Sequence, residues 1–108
     1  MLAKERFIGL EGSHFTAVSR ARHDASDESI GPVNLELVEV ADRSTESLDA
    51  FTLLFLGPRV PAFAQGTVRL VHQALGSLDL FLVPILSPRA DDAHICYQAI
   101  INRVRDAG

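Results

Sequence analysis

Apolar and polar residues alternate along most of this chain, and alternation at every second position is typical of half-buried β-strands. Turn-forming Gly, Pro, Asp and Ser residues separate the alternating stretches. The pattern predicts about six short strands, at residues 13–20, 33–40, 50–56 and 94–104, with two more inside residues 65–85. Ahead of them, Ala3, Phe7 and Leu10 share one helical face, which predicts a short helix over residues 2–10 that Gly12 ends.

The second strand changes phase halfway along its length. Val33, Leu35 and Leu37 fall on one face, whereas Val38 and Val40 fall on the other. A β-bulge near Leu37 restores a single buried face, because it inserts one unpaired residue. Polar loops are predicted on either side, at residues 22–32 and 42–47.

Six short strands separated by turns favour an antiparallel all-β domain. We predict a small six-stranded β-barrel with the short N-terminal helix, formed as one domain by residues 1–108. Closure into a barrel leaves no open edge on strands this hydrophobic. A two-sheet β-sandwich is the alternative. The segment from Gly57 to Gln65 is expected to lie across an open end of the sheet, because it is too apolar for a solvated loop.

Residues 65–85 predict a hairpin whose turn, Gln73 to Gly76, places glycine where a left-handed residue closes a G1 bulge. The predicted register pairs His72 with Leu78, Leu70 with Leu80 and Val68 with Leu82, all on one face. The opposite face then places Asp79 diagonal to Arg69, close enough for the two side chains to form an ion pair. We interpret this ion pair as structural. His72 lies at the turn end of the leucine face, and a structural role is favoured over binding or proton transfer there.

Two strands are apolar on both faces, namely "AFTLLFL" at residues 50–56 and "LDLFLVPI" at residues 78–85. A small barrel buries only its inner face, so Leu54, Leu56, Phe81 and Val83 are predicted to face outward and to need a cover. The N-terminal helix and the segment after Gly57 cover part of this surface. A second subunit or a partner protein is expected to cover the rest.

Composition narrows the classes of partner. The chain has 108 residues, 47% hydrophobic and 22% charged, with a formal net charge of −4 and no basic run. Nucleic acid is therefore not expected as a partner, because phosphate binding needs clustered Lys and Arg. Cys96 is the one cysteine, which rules out an internal disulfide. No signal-peptide core and no membrane-length apolar run are visible, so a cytoplasmic location is expected, without membrane contact.

No motif for catalysis or metal binding is present. The four histidines have no zinc-ligand spacing, and neither a G-x-S-x-G motif nor a glycine-rich phosphate loop occurs. We therefore assign no catalytic residue, no metal site and no cofactor, and we expect Cys96 to be buried and inert. The candidate binding residues are His72, Tyr97, Phe81 and Gln65.

The blocks "FTLLFLGP" at 51–58, "QGTVRLVH" at 65–72, "LGSLDLFLVPI" at 75–85 and "YQAIINR" at 97–103 resemble a family of short bacterial proteins that is a domain of unknown function. The resemblance extends to "GSHF" at 12–15 and "LELVEV" at 35–40, so it covers nearly the whole chain. It implies a compact β-rich domain and supplies no catalytic residue.

The function expected from the sequence is a non-catalytic interaction module that self-associates or docks on a partner protein through apolar strand faces. The alternative is a small barrel that binds an apolar small molecule, as an isomerase or cyclase with His72 or Tyr97 at its mouth. An enzyme would need an internal cavity with convergent polar groups. A docking module would have a filled interior and an apolar exterior.

Overall fold

The computed structural model describes residues 4–19, 32–46, 48–59, 63 and 65–104. Residues 22–31 of the predicted polar loop lie outside these ranges. Residues 60–62 and 64 of the Gly57–Gln65 segment lie outside them as well. Within them the chain forms six strands: β1 His14–Ser19, β2 Val33–Asp42, β3 Leu48–Pro58, β4 Gly66–His72, β5 Gly76–Ile85 and β6 His94–Val104.

The six strands close into an antiparallel barrel in the order β1-β2-β3-β6-β5-β4, with β4 pairing back to β1. The all-β barrel prediction is confirmed, and the barrel replaces the sandwich alternative. β3 and β6 are the longest strands and pair along their full length, from Leu48 opposite Val104 to Pro58 opposite His94. Their pairing is the longest continuous strand pairing in the barrel.

The predicted N-terminal helix is wrong over the described part of residues 2–10. A single 3₁₀ turn at Lys4–Arg6 precedes further turns, and Leu10 N–H donates to the Phe7 carbonyl at 3.0 Å. Gly9 has a φ of 93°, a left-handed conformation that an α-helix cannot contain. The apolar spacing that suggested a helix instead reflects the burial of Phe7, whose ring packs 5.8 Å from that of Phe51.

The β-bulge in β2 is confirmed. Leu37 pairs with Phe55, but the next paired residue is Glu39, opposite Leu54, so Val38 is the extra residue. Val33, Leu35 and Leu37 are buried, and Val40 packs against the core after the bulge. The bulge therefore keeps the apolar residues of both halves of β2 on the inner side of the barrel.

The hairpin of β4 and β5 has the predicted faces, but its register differs by two residues. Leu70 pairs with Leu78 and Val68 with Leu80, whereas His72 lies opposite Gly76. Gly76 adopts the expected left-handed conformation, with a φ of 78°. Three turn residues separate His72 from Gly76, so pairing begins closer to the turn than predicted. A shift of two leaves every side chain on its own face.

The same shift changes the geometry of the predicted ion pair. Arg69 lies directly opposite Asp79 rather than diagonal to it, and Arg69 Nε donates to Asp79 Oδ1 at 3.1 Å. Both side chains are exposed, so the pair belongs to the solvated side of the hairpin.

Aromatic rings organise the barrel interior. Phe15 of β1 meets Phe55 of β3 edge-on, with ring centroids 5.4 Å apart. Phe63 and Tyr97 form a second edge-on pair at 6.0 Å, and both side chains are buried. Phe63 belongs to the segment after Gly57 that we expected to lie across an open end of the sheet; residues 60–62 and 64 of that segment lie outside the described residues, so this expectation stays a prediction.

Candidate functional site

His72 is buried at the end of β4, where its ring packs 4.5 Å from that of Phe15. Both ring nitrogens have protein partners. Ala74 N–H donates to Nδ1 at 2.9 Å, and Nε2 lies 3.0 Å from Ser13 Oγ. Ala74 lies in the β4–β5 turn and Ser13 directly precedes β1, so His72 joins that turn to the N-terminal segment.

These contacts define the tautomer of His72. Nδ1 accepts the Ala74 N–H and therefore carries no proton, so Nε2 carries it and donates to Ser13 Oγ. The Ser13 hydroxyl donates in turn to the Leu10 carbonyl at 2.6 Å. A chain of hydrogen bonds thus runs from the imidazole through the Ser13 hydroxyl to the Leu10 carbonyl. It holds the N-terminal turn against the barrel.

Tyr97 lies on the inner side of β6 and is buried, between Phe55 on β3 and Pro84 on β5. Its hydroxyl accepts the Phe63 N–H at 2.9 Å. Burial raises the pKa of the Tyr97 phenol, and the hydrogen bond from Phe63 offsets part of that shift. The phenol fixes the segment that contains Phe63 against the barrel.

Phe81 and Ile100 lie on the outer side of β5 and β6. The paired part of these strands runs from Val83 opposite Gln98 to Ile85 opposite Cys96, and Phe81 and Ile100 each lie two residues beyond the first of these pairs. Their side chains are 51% and 61% exposed. Two large apolar side chains on neighbouring strands therefore face solvent.

We call the surface around this pair the apolar face and define it by Leu54, Phe81, Val83 and Ile100. Leu54 and Val83 flank Gln98 from the two neighbouring strands, and both are partly exposed. Uncharged Thr52 and Thr67 lie opposite Ile100 and Phe81 on the next strands. The centre of the apolar face contains no charged side chain, as in the cores of protein interfaces.

Ion pairs border the apolar face on two sides. Arg69 and Asp79 lie beyond Phe81 along the hairpin. On the other side, Arg89 Nε from the β5–β6 loop lies 3.9 Å from Glu39 Oε1 on β2. Glu39 lies opposite Leu54 across the pairing of β2 with β3, so this ion pair lies next to the apolar face. The charged border around an apolar centre matches the usual arrangement of a docking surface.

The four residues predicted as binding residues do not converge. His72 and Tyr97 are buried, with polar atoms engaged by other residues of the chain, whereas Phe81 and Gln65 are exposed. Gln65 directly precedes β4. Sequence reasoning missed Ile100, although a signal existed: Ile100 and Ile101 are adjacent in a strand, so one of them has to face outward.

The described part of the chain contains neither a cluster of potential metal ligands nor a helix that could span a membrane. Across residues 4–19, 32–46, 48–59, 63 and 65–104, no group of three His, Cys, Asp or Glu residues is placed to hold a metal ion. Among the same residues, no helix has the length and apolar character that a membrane span requires. Cys96 is buried and unpaired with another cysteine, as expected.

Fold and surface together define a small closed antiparallel β-barrel with a buried apolar core and exposed apolar residues on its outer side. Residues 2–101 match the model of one protein family, and the chain belongs to that family, the Domain of unknown function (DUF6916). This confirms the resemblance noted from the sequence blocks. No curated protein and no solved structure shows a significant match to the chain.

Proposed function

We propose that this protein is a non-catalytic interaction module that docks, through its apolar face, on another protein surface, either a second copy of itself or a partner chain. The observation that carries the proposal is the solvent exposure of two large apolar side chains, Phe81 and Ile100, on the neighbouring strands β5 and β6. Aromatic and large aliphatic side chains at the centre of a charge-free patch are typical anchors of protein interfaces.

The energetics support docking. Full burial of a Phe or Ile side chain contributes roughly 1.5–3 kcal/mol. Phe81 and Ile100 already bury about half of their surface, so each has roughly 1 kcal/mol still to gain on contact. Val83 and Leu54 add to that sum at the same surface. A partner that covers all four gains several kcal/mol of apolar burial, which is enough to begin offsetting the cost of association.

The barrel interior supports a docking module over a ligand container. A container with His72 or Tyr97 at its mouth would present their polar atoms to a ligand. Here Ser13 and Ala74 engage the imidazole, and Phe63 engages the phenol. A cytoplasmic location is part of the proposal.

The test compares two exposed apolar positions by charge substitution. Phe81→Asp places a carboxylate inside the apolar face, whereas Val71→Asp places one at a 44% exposed valine on β4. We expect Phe81→Asp to abolish the association measured by sedimentation velocity or by co-purification from the native host. Val71→Asp serves as the matched control and is expected to retain it.

Folding of both variants is checked by circular dichroism and by thermal midpoints. A folded Phe81→Asp variant that associates as strongly as the wild type contradicts the proposal. Equal loss of association in both variants contradicts it too, because the effect then does not belong to the apolar face.

A further inference from the structure

A second surface feature lies on the outer side of the barrel, where β1, β2, β3 and β6 run side by side. It is a groove with a volume of about 410 Å³, within the size range of small-molecule sites. Its lining side chains include His14, Asn34, Glu36, Leu56, Pro58 and His94. Pairing of the strands brings them together: His14 lies opposite Glu36, Glu36 opposite Leu56, and Pro58 opposite His94.

Glu36 supplies the negative charge of the groove. Its side chain is partly buried between His14 and Leu56, and among the described residues its carboxylate has no hydrogen-bond or ion-pair partner. Two arginines on the same side of the barrel are engaged elsewhere. Arg59 Nε donates to the Asp91 carbonyl at 2.7 Å, and Arg89 pairs with Glu39. The Glu36 carboxylate is therefore available to a ligand.

His94 supplies a second acceptor in a fixed orientation. Its Nδ1 lies 2.9 Å from Asp91 Oδ1, and Asp91 is anchored by the N–H groups of Ala93 and His94. The carboxylate accepts the Nδ1 proton, so in the neutral form of the imidazole Nε2 is a hydrogen-bond acceptor. No described residue engages that nitrogen. The Asp91 contact thus selects an acceptor tautomer at a residue that lines the groove.

We propose that this groove binds a small organic ammonium ion, with Glu36 as its counter-ion and Leu56 and Pro58 as the surface for its apolar body. An ammonium group has three donors and no acceptor, which matches the Glu36 carboxylate, the Asn34 amide oxygen and His94 Nε2. An anion is disfavoured by the Glu36 charge, and no described group of residues is placed to hold a metal ion. This site is separate from the apolar face and does not depend on it.

The experiment titrates the protein with benzylammonium chloride and follows the backbone amides by ¹H–¹⁵N NMR. We expect saturable shifts at residues 34, 36, 56 and 94, with a dissociation constant on the order of 1 mM for a ligand of this size. Benzyl alcohol, which has the same apolar body and no charge, and benzoate, which has the opposite charge, should produce no saturable shift at these residues.

Glu36→Gln keeps the shape of the side chain and removes its charge. We expect it to weaken benzylammonium binding at least about tenfold. Glu46→Gln, at an exposed residue outside the groove, should leave binding unchanged. The proposal is overturned by an absence of saturable shifts in the folded wild type, by equal binding of benzyl alcohol, or by unchanged affinity in a folded Glu36→Gln variant.

Discussion

The two faces of β5 and β6 carry similar residues in opposite surroundings. On the inner face, Leu80 and Leu82 of β5 and Tyr97 of β6 are buried in the core. On the outer face, Phe81 and Ile100 are more than half exposed, although they are as apolar as their inner neighbours. Packing in the barrel core explains why the inner residues are apolar. The outer set buries only part of its surface within the barrel, which is why we propose that it contacts another protein.

The polar groups repeat this contrast. Inside the barrel, His72 and Tyr97 have their polar atoms bound by groups of the same chain. In the outer groove, Glu36 and Nε2 of His94 have no such partners among the described residues. A polar group that is engaged internally supports the fold, whereas one that is free at a concave surface can bind a ligand. Residue type alone does not distinguish the two situations.

The largest expected effect separates two phenylalanines. Phe55→Ala removes a fully buried ring that packs edge-on against Phe15 and leaves a cavity, so the free energy of unfolding should fall by about 3–5 kcal/mol. Phe81→Ala removes a ring from the exposed outer face and should cost under about 1 kcal/mol. Urea unfolding followed by circular dichroism measures both. Similar losses at the two sites would show that Phe81 belongs to the folding core.

A smaller loss of stability is expected for His72→Ala. The substitution removes the imidazole from Phe15 and leaves Ala74 N–H without its acceptor, so the free energy of unfolding should fall by about 2–3 kcal/mol. Association through the apolar face should persist in the folded variant. His14→Ala, at an exposed residue of β1, is the stability control. Loss of association with the fold intact would move His72 from the structural set to the functional set.

Tyr97→Phe is expected to cost about 1–2 kcal/mol. The ring remains in place, but the Phe63 N–H loses the hydroxyl that accepts it, and a buried donor without a partner is destabilising. The same urea titration measures this loss. An unchanged midpoint would mean that the Phe63 contact contributes nothing to stability.

Tyr97 should also give the fold a dependence on alkaline pH. Burial raises the pKa of its phenol in the folded state, while the unfolded chain releases that proton near the ordinary value of about 10. Stability from the neutral phenol is therefore complete below about pH 10 and is lost as the pH rises through the folded pKa. Because Tyr97 is the only tyrosine, its tyrosinate absorbance can be titrated directly. Tyr97→Phe should lack this contribution; equal alkaline slopes in both proteins would contradict it.

The strand pattern predicted the barrel well where the residues signal their environment locally. The phase change at Leu37 identified the bulge, and the alternation of residues 94–104 identified β6 with its observed ends. Predictions failed where two backbone solutions satisfy the same side-chain pattern. A hairpin register two residues away preserves every face, and a run of turns buries Phe7 as well as a helix would.

The sites were less predictable because they form between distant strands. Glu36, Leu56 and His94 are far apart in the chain and are brought near one another only by the pairing of β2 with β3 and of β3 with β6. The apolar face was partly visible, since Phe81 and Val83 follow from alternation in β5. Its other half depends on which of Ile100 and Ile101 faces outward, and the pairing of β6 with β3 and β5 decides that.

The proposal that the apolar face docks on protein is tested most directly by a native mass spectrum of the wild-type protein, purified gently from its own host. If the apolar face docks on protein, the spectrum should show a multiple of 11.8 kDa or a stoichiometric complex with a larger chain. A spectrum that contains the 11.8 kDa monomer alone, at concentrations where protein complexes of this kind stay associated, would contradict the docking proposal.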